Sequence, residues 1–198
     1  VYGDPVNPDL SIGEKDYGYL DPINIRSCYA ESKRIGETMT VAWGNQHNIY
    51  TNIVRPFHTY GPGLSFNDGR VFADFVSDIV NNQNITLKSD GSAKRTFCYI
   101  RDTVSGILTV LLTGKKNEAY NIGNPDTEIA IKDLATILVN LFPQKQLKVK
   151  FEIETQNINY LKSSISHICP SIEKLKKLGW TPLVDIKEGF TRTIESYQ

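Results

Sequence analysis

The sequence contains no Gly-x-Gly-x-x-Gly run. Gly61 and Gly63 match its first two positions, but residue 66 is Phe, so the tight glycine turn that cradles a pyrophosphate at a helix start has no counterpart here. Cysteine is scarce. Cys28, Cys98 and Cys169 are odd in number and far apart, which fits neither a disulfide framework nor a zinc site and points to a reducing, cytoplasmic setting. His47, His58 and His167 are equally scattered, so no metal site is expected. Excess charge of either sign is absent: 22 Lys and Arg balance 22 Asp and Glu, which leaves no case for nucleic acid, and no basic run suggests a membrane surface. The longest apolar stretch, 107–112 with Thr109 inside it, is far too short to span a bilayer. No signal peptide is visible. The chain opens at Val1, and its first residues read as the end of a strand, so we expect the C-terminal part of a longer protein.

What is present describes an ordinary globular chain. Its 198 residues are 40% hydrophobic and 22% charged, enough for one domain or one and a half with a real core. Residues 4–25 read as a loop, either ordered over a site or mobile at the surface. The spacing of Cys28, Ile35, Met39, Ala42 and Trp43 predicts a helix from 27 to about 47 with that stripe buried. A short strand at 51–55 follows, ended by Pro56, and then a rigid aromatic loop at 57–63. Residues 70 to about 82 form a predicted helix with Val71, Phe72, Phe75, Val76 and Ile79 inward. Strands are expected at 85–88, 95–100, 120–123 and 147–152. Between them fall a helix capped by Asp102 that reaches Leu112, and an amphipathic helix at 131–142. Residues 154–168 are polar and weakly patterned, and helices follow at about 171–178 and 185–197. Helix followed by strand suggests a parallel α/β sheet with sites at the strand ends.

One pair in this chain carries chemistry. Tyr29 and Lys33 are four residues apart, hence on one helical face one turn apart. A free tyrosine titrates near pH 10, but an adjacent ammonium favours the phenolate, and such a tyrosine can trade a proton with a sugar hydroxyl. The spacing alone is weak: ten tyrosines and fifteen lysines give about 0.8 such pairs by chance, and a surface tyrosine with a salt-bridging lysine is the plainer reading.

Context changes that balance. Val1-Tyr2-Gly3, Tyr29-Ala30-Glu31-Ser32-Lys33, the run from Arg55 through Pro62, the run from Arg95 through Asp102, the run from Tyr120 through Pro125, and Leu178-Gly179-Trp180-Thr181-Pro182 occur in order over nearly the whole chain. Together they resemble the extended short-chain dehydrogenase/reductases that remodel nucleotide sugars with NAD. Arg26-Ser27-Cys28-Tyr29 and Asn67-Asp68-Gly69-Arg70-Val71 are most similar to the UDP-glucuronate decarboxylases. The dTDP-glucose 4,6-dehydratases and UDP-sugar 4-epimerases share most of the remainder.

The resemblance implies the C-terminal part of a Rossmann-type α/β fold plus a small α/β substrate domain, without the glycine-rich N-terminal half. It divides the chain into 1–57, the end of the dinucleotide domain, and 58–198, mainly the substrate domain, with 102–124 returning to the Rossmann sheet. Tyr29 would be the acid/base on the sugar C4 hydroxyl, and Lys33 would hold the nicotinamide ribose and favour the phenolate. Pro56 and Phe57 would border the nicotinamide. Arg95 would grip the pyrophosphate, with Arg70 and His58 on the substrate side. The reaction implied is transient oxidation at C4, followed by decarboxylation, dehydration or epimerisation. The parent is expected to be a homodimer, and the residues in hand are expected to bind NAD weakly and turn over nothing. A non-catalytic nucleotide-sensing module is the reading from another class.

Other readings stay open for several residues. Arg95 also suits a cross-strand charge partner, His58 ordinary packing, and Tyr60-Gly61-Pro62 a turn; Cys28 is expected in the core. Arg70 opposes the helix dipole, which hints at an anion nearby. The chain departs from the family at His58, where Asn is usual, and at 168–171, where an Arg and an Asp usually flank the proline. The resemblance further implies that roughly the first 110–130 residues of the fold are expected to lie outside this sequence, a size set by the Rossmann half.

Overall fold

The computed structural model describes residues 1–4, 11–152 and 167–198. The polar stretch of the sequence therefore lies outside the described residues except at its last two positions. The first long element, α1 (Ser27–Gln46), leads into β1 (Asn52–Pro56) and β2 (Thr59–Tyr60). Then come α2 (Val71–Val80), β3 (Ile85–Leu87), β4 (Lys94–Arg95) and β5 (Cys98–Tyr99). The predicted 95–100 strand is thus two short strands, interrupted at Thr96 and Phe97. Helix α3 (Ile100–Thr113) leads to β6 (Glu118–Ile122), β7 (Ile129–Ala130), α4 (Ile131–Leu141), β8 (Val149–Phe151) and β9 (His167–Ile168). A single-turn α5 (Glu173–Lys176) and α6 (Ile186–Glu195) close the chain.

Strands β1 and β6 pair in parallel, from Asn52 with Glu118 to Pro56 with Ile122. Such a pair needs a crossover, and α3 supplies it. At Gly106 the helix comes close enough that a Cβ would sit 3.0 Å from the Ile122 side chain and 3.2 Å from Trp180. Around this contact Val110, Tyr120, Ile122, Ile172, Leu175 and Trp180 form one core. Short parallel pairs join β2 to β5 and β3 to β8, while β4 lies between antiparallel β7 and parallel β9.

A second, larger core lies among α2, α4 and α6. Phe72, Phe75, Val76 and Ile79 recur at helical spacing and are almost wholly buried, each contributing roughly 1.5–3 kcal/mol. Val71, expected inward, is 38% exposed, because the first helical residue points past the end of that stripe. Leu134 and Leu138 of α4 and Phe190 and Ile194 of α6 complete the packing. Tyr60 stacks on Phe190 at 4.0 Å, and Phe97 meets Tyr60, Phe72 and Phe190 edge-on.

Two expectations need correction. Asp102 does not cap α3: Tyr99 occupies the cap position, and no side chain bonds the helix start. The buried Asp102 carboxylate instead accepts hydrogen bonds from the Leu183 and Val184 amides at 2.9 and 2.8 Å, fastening a distant loop to α3. The stripe of α1 is not buried either. Ile35, Met39 and Trp43 are exposed, Cys28 is an exposed thiol, and only Ser27 and Gly44 of the helix are buried. Periodicity marks one face of the helix, and among the described residues that face stays open.

Candidate active site

A cavity of about 1080 Å³ runs along β1 and under α1. Tyr29, Lys33, Pro56, Phe57, His58 and Arg70 all lie on its wall. Val1–Asp4, Leu20 and Asp21 line it too, so the described part of the early loop does border this space. Lys33 Nζ sits over the Tyr29 ring, 5.4 Å from its centroid. That is cation–π geometry, with the charge against the ring face. Tyr29 is 69% exposed. Phe57 is buried and tilts against Tyr2 at 6.0 Å, while Pro56 is exposed.

His58 stands deeper. Its ring tilts against Phe97 at 5.8 Å, and its Nδ1 is buried without a hydrogen-bond partner. Burial first, then the charges of Arg95 and Arg70, pull its pKa down to about 4, so the imidazole is neutral at physiological pH. Arg70 precedes the first residue of α2. Its guanidinium makes an ion pair with Asp68, bonds the Thr59 carbonyl at 3.1 Å and lies 4.6 Å over the Phe72 ring. The anion that its position called for is thus supplied by the chain itself. Arg95, half-buried, is not on the cavity wall; Nη1 bonds the Lys94 carbonyl at 2.7 Å, and its register partners on the flanking strands are Ile129 and Ile168. The uncharged 168–171 segment meets the site through Ile168, and Pro170 bridges to Ile12. Leu64 bonds back to the Gly61 carbonyl at 3.3 Å, a turn, and a Cβ on Gly61 would meet Ile100 at 2.3 Å.

Sequence reasoning gave no role to the group that organises this wall. Arg55, near the end of β1, is almost wholly buried. Its Nε and Nη2 grip both Glu37 oxygens at 2.8 and 2.6 Å. Nη1 donates to Tyr2 Oη at 3.0 Å and the Glu14 carbonyl at 2.8 Å, and Nη2 also reaches Tyr17 Oη at 3.3 Å. Burial opposes the charge, but the bonds to Glu37, Tyr2 and Tyr17 outweigh it and raise the Arg55 pKa above its usual value. Tyr2 passes the chain on by donating to Asn121 Oδ1, and burial pushes its phenol up to about 12. Two signals in the sequence pointed here. An arginine inside an Ile-Val-Arg-Pro strand needs a partner if buried, and Glu37 lies four residues past Lys33 on the same helical face.

Among the described residues, no group of three or more His, Cys, Asp or Glu side chains is placed to hold a metal ion. Among them, too, no helix is long and apolar enough to cross a membrane.

Parallel strands joined by helices, with a cavity at their edge, define a Rossmann-like α/β protein, and comparison with known proteins narrows the class. Residues 1–123 match the profile described as the NAD dependent epimerase/dehydratase family. UDP-glucuronic acid decarboxylase 6 of Arabidopsis thaliana is 34% identical over 200 residues, covering all of this chain and 55% of the plant protein. The chain belongs to the NAD-dependent epimerase/dehydratase family. It spans about half the length of the curated relatives it matches. Solved structures agree on the fold. The UDP-N-acetylglucosamine 4-epimerase of Methanobrevibacter ruminantium, in complex with UDP-N-acetylmuramic acid, superposes with a TM-score of 0.82 at 22% identity, covering all of this chain and 59% of that one. The dTDP-glucose 4,6-dehydratase of Bacillus anthracis, in complex with NAD, gives 0.78 at 20% identity, covering all of this chain and 58% of that one.

Proposed function

We propose that these residues serve an NAD-dependent nucleotide-sugar enzyme that decarboxylates UDP-glucuronate through transient oxidation at C4. The observation that carries the reading is the single cavity wall shared by Tyr29, Lys33, Phe57, His58 and Arg70. The choice of decarboxylation rests on the likeness to UDP-glucuronic acid decarboxylases over the whole chain.

The residues present fit one end of NAD. Lys33 offers an ammonium for ribose hydroxyls, and Pro56 with buried Phe57 offers an apolar border for the nicotinamide. The sequence brings no glycine-rich turn for the pyrophosphate. NAD, when bound, supplies the reversible oxidation of the sugar. Tyr29 accepts the proton of the C4 hydroxyl and later returns one. A ketone at C4 makes the C6 carboxylate a β-keto acid, which loses carbon dioxide readily. Neutral His58 takes one hydrogen bond from the substrate side. Arg70 supplies positive charge for the diphosphate from the cavity wall, sharing itself with Asp68, while Arg95 would act from outside that wall. In this reading 1–57 and 102–124 form the dinucleotide side, a division supported by the β1–β6 pairing, and the rest forms the substrate side. Homodimer assembly belongs to the same reading, supported by the exposed Ile35, Met39 and Trp43.

The test takes the intact protein, with any residues that precede Val1, together with NAD. Offered UDP-glucuronate, it is expected to release carbon dioxide, read as product mass. Loss of water from dTDP-glucose instead would make it a dehydratase with Tyr29 and Lys33 in the same roles. Unchanged masses with both sugars would remove the decarboxylase reading and leave a 4-epimerase or a nucleotide sensor. Full activity after Tyr29→Phe would remove the role of Tyr29.

A further inference from the structure

Helix α1 carries Tyr29 and Lys33, yet within this chain apolar burial does not fix its rotation, since only Ser27 and Gly44 are buried and Ile35, Met39 and Trp43 face outward. Charged anchors hold it instead. Arg34 donates to the carbonyls of Val1, Tyr2 and Gly18 at 2.7, 3.3 and 2.9 Å. Glu37 is held by Arg55 from β1. Glu37 lies one turn beyond Lys33 and two beyond Tyr29, about 12 Å along the axis from the tyrosine and about 80° round the helix from it.

The Arg55 fork is unusually constrained. All five of its N–H groups are used: two on the Glu37 carboxylate, two on tyrosine hydroxyls and one on the Glu14 carbonyl. The rings of Tyr2 and Tyr17 lie against it at 4.9 and 5.5 Å. A planar fork fixed in this way accepts a carboxylate in one plane and at one height. It also has no donor left for a phosphate, so its place on the cavity wall does not make it a ligand group.

We propose that the Glu37–Arg55 fork is a positioning device, which sets the rotation and axial register of α1 against the end of β1 and so aims Tyr29 and Lys33 at the reacting centre beside Phe57 and His58. Glu37 and Arg55 are positioning residues that act through Tyr29 and Lys33. The proposal rests on the reading of Tyr29 and Lys33 as the reacting pair.

The test uses the intact protein with saturating NAD and the nucleotide sugar that it turns over. Glu37→Asp withdraws the carboxylate by one methylene while keeping its charge, and Arg55→Lys keeps the charge but loses the fork. Glu37→Gln, which keeps the length, is the alternative should either fail to fold. Expected for folded variants are a kcat at least tenfold lower, KM within twofold, and a larger isotope effect with substrate deuterated at C4, because misaligned atoms slow the chemical step. A fall in kcat that only tracks the folded fraction, with the isotope effect unchanged, overturns the proposal. So does a raised KM with kcat intact, which would make the fork a ligand site. Tyr29→Phe separates the two levels. If it abolishes turnover while the Glu37 variants keep full kcat, the fork proposal alone fails. If it leaves turnover intact, the reacting-pair reading fails and takes the fork with it.

Discussion

The α2–α4–α6 body and helix α1 are held by opposite physics. The first buries Phe72, Phe75, Leu134, Leu138, Phe190 and Ile194 in a continuous apolar core. Within this chain the second buries almost nothing apolar and is tied by Arg34, Glu37 and the Ser27 hydroxyl, which bonds the Asp21 carbonyl at 2.6 Å. Apolar packing tolerates small sliding, whereas a charged fork has one seat. The helix that bears the candidate reacting pair is therefore the one located by directional bonds.

The contrast breaks most sharply at Phe190. Phe190→Ala removes a fully buried ring stacked on Tyr60 and should lower global stability by about 3–5 kcal/mol in urea unfolding. A loss under 1 kcal/mol would mean that this body is not core-held. Next is His58. Its folded pKa of about 4 lies below the unfolded value near 6.5, so its contribution is complete above pH 6.5 and is lost as pH falls towards 4. The full loss is roughly 3 kcal/mol, and His58→Gln should flatten the stability slope across that window by about one proton. An unchanged slope would show that the imidazole is not shielded.

Arg34→Met should cost about 2 kcal/mol, and the loss should be local: hydrogen exchange is expected to quicken in α1 and stay unchanged in α2. Equal quickening in both would dissolve the distinction between the regions. Tyr60→Phe should be neutral or raise stability by up to about 1 kcal/mol, since the Tyr60 hydroxyl is buried without a partner and crowds Gly189. Smallest is Glu188→Gln, which breaks the exposed pair with Arg192 on α6 and should change stability by less than about 0.5 kcal/mol in a thermal melt.

Legibility in the sequence followed the same division. Helices α2, α4 and α6 were readable because their stabilising contacts repeat at helical spacing and one face decides them. The Tyr29–Lys33 spacing was readable because both sit on one helix. The Glu37–Arg55 fork joins residues 18 positions apart, and the Tyr2–Asn121 bond joins residues 119 apart, so no local pattern encodes either. Asp102 was misread for the same reason: an acidic residue near a helix start resembles a cap until the amides of Leu183 and Val184 appear beside it. The stripe on α1 misled because periodicity shows which residues share a face, not whether anything covers it.

The three histidines occupy three different surroundings. His47 stacks on Trp43 at 4.6 Å on the open side of α1, and His167 bonds Glu128 at 2.8 Å. His58 alone keeps a buried, unpartnered ring nitrogen on the cavity wall. Nitrogen-15 resonances of imidazole respond to hydrogen bonding and to tautomer, so selective histidine labelling gives the site a built-in reporter. A guest that bonds to Nδ1 should move one of the three signals while the other two stay still, which registers occupancy without turnover and without a dye.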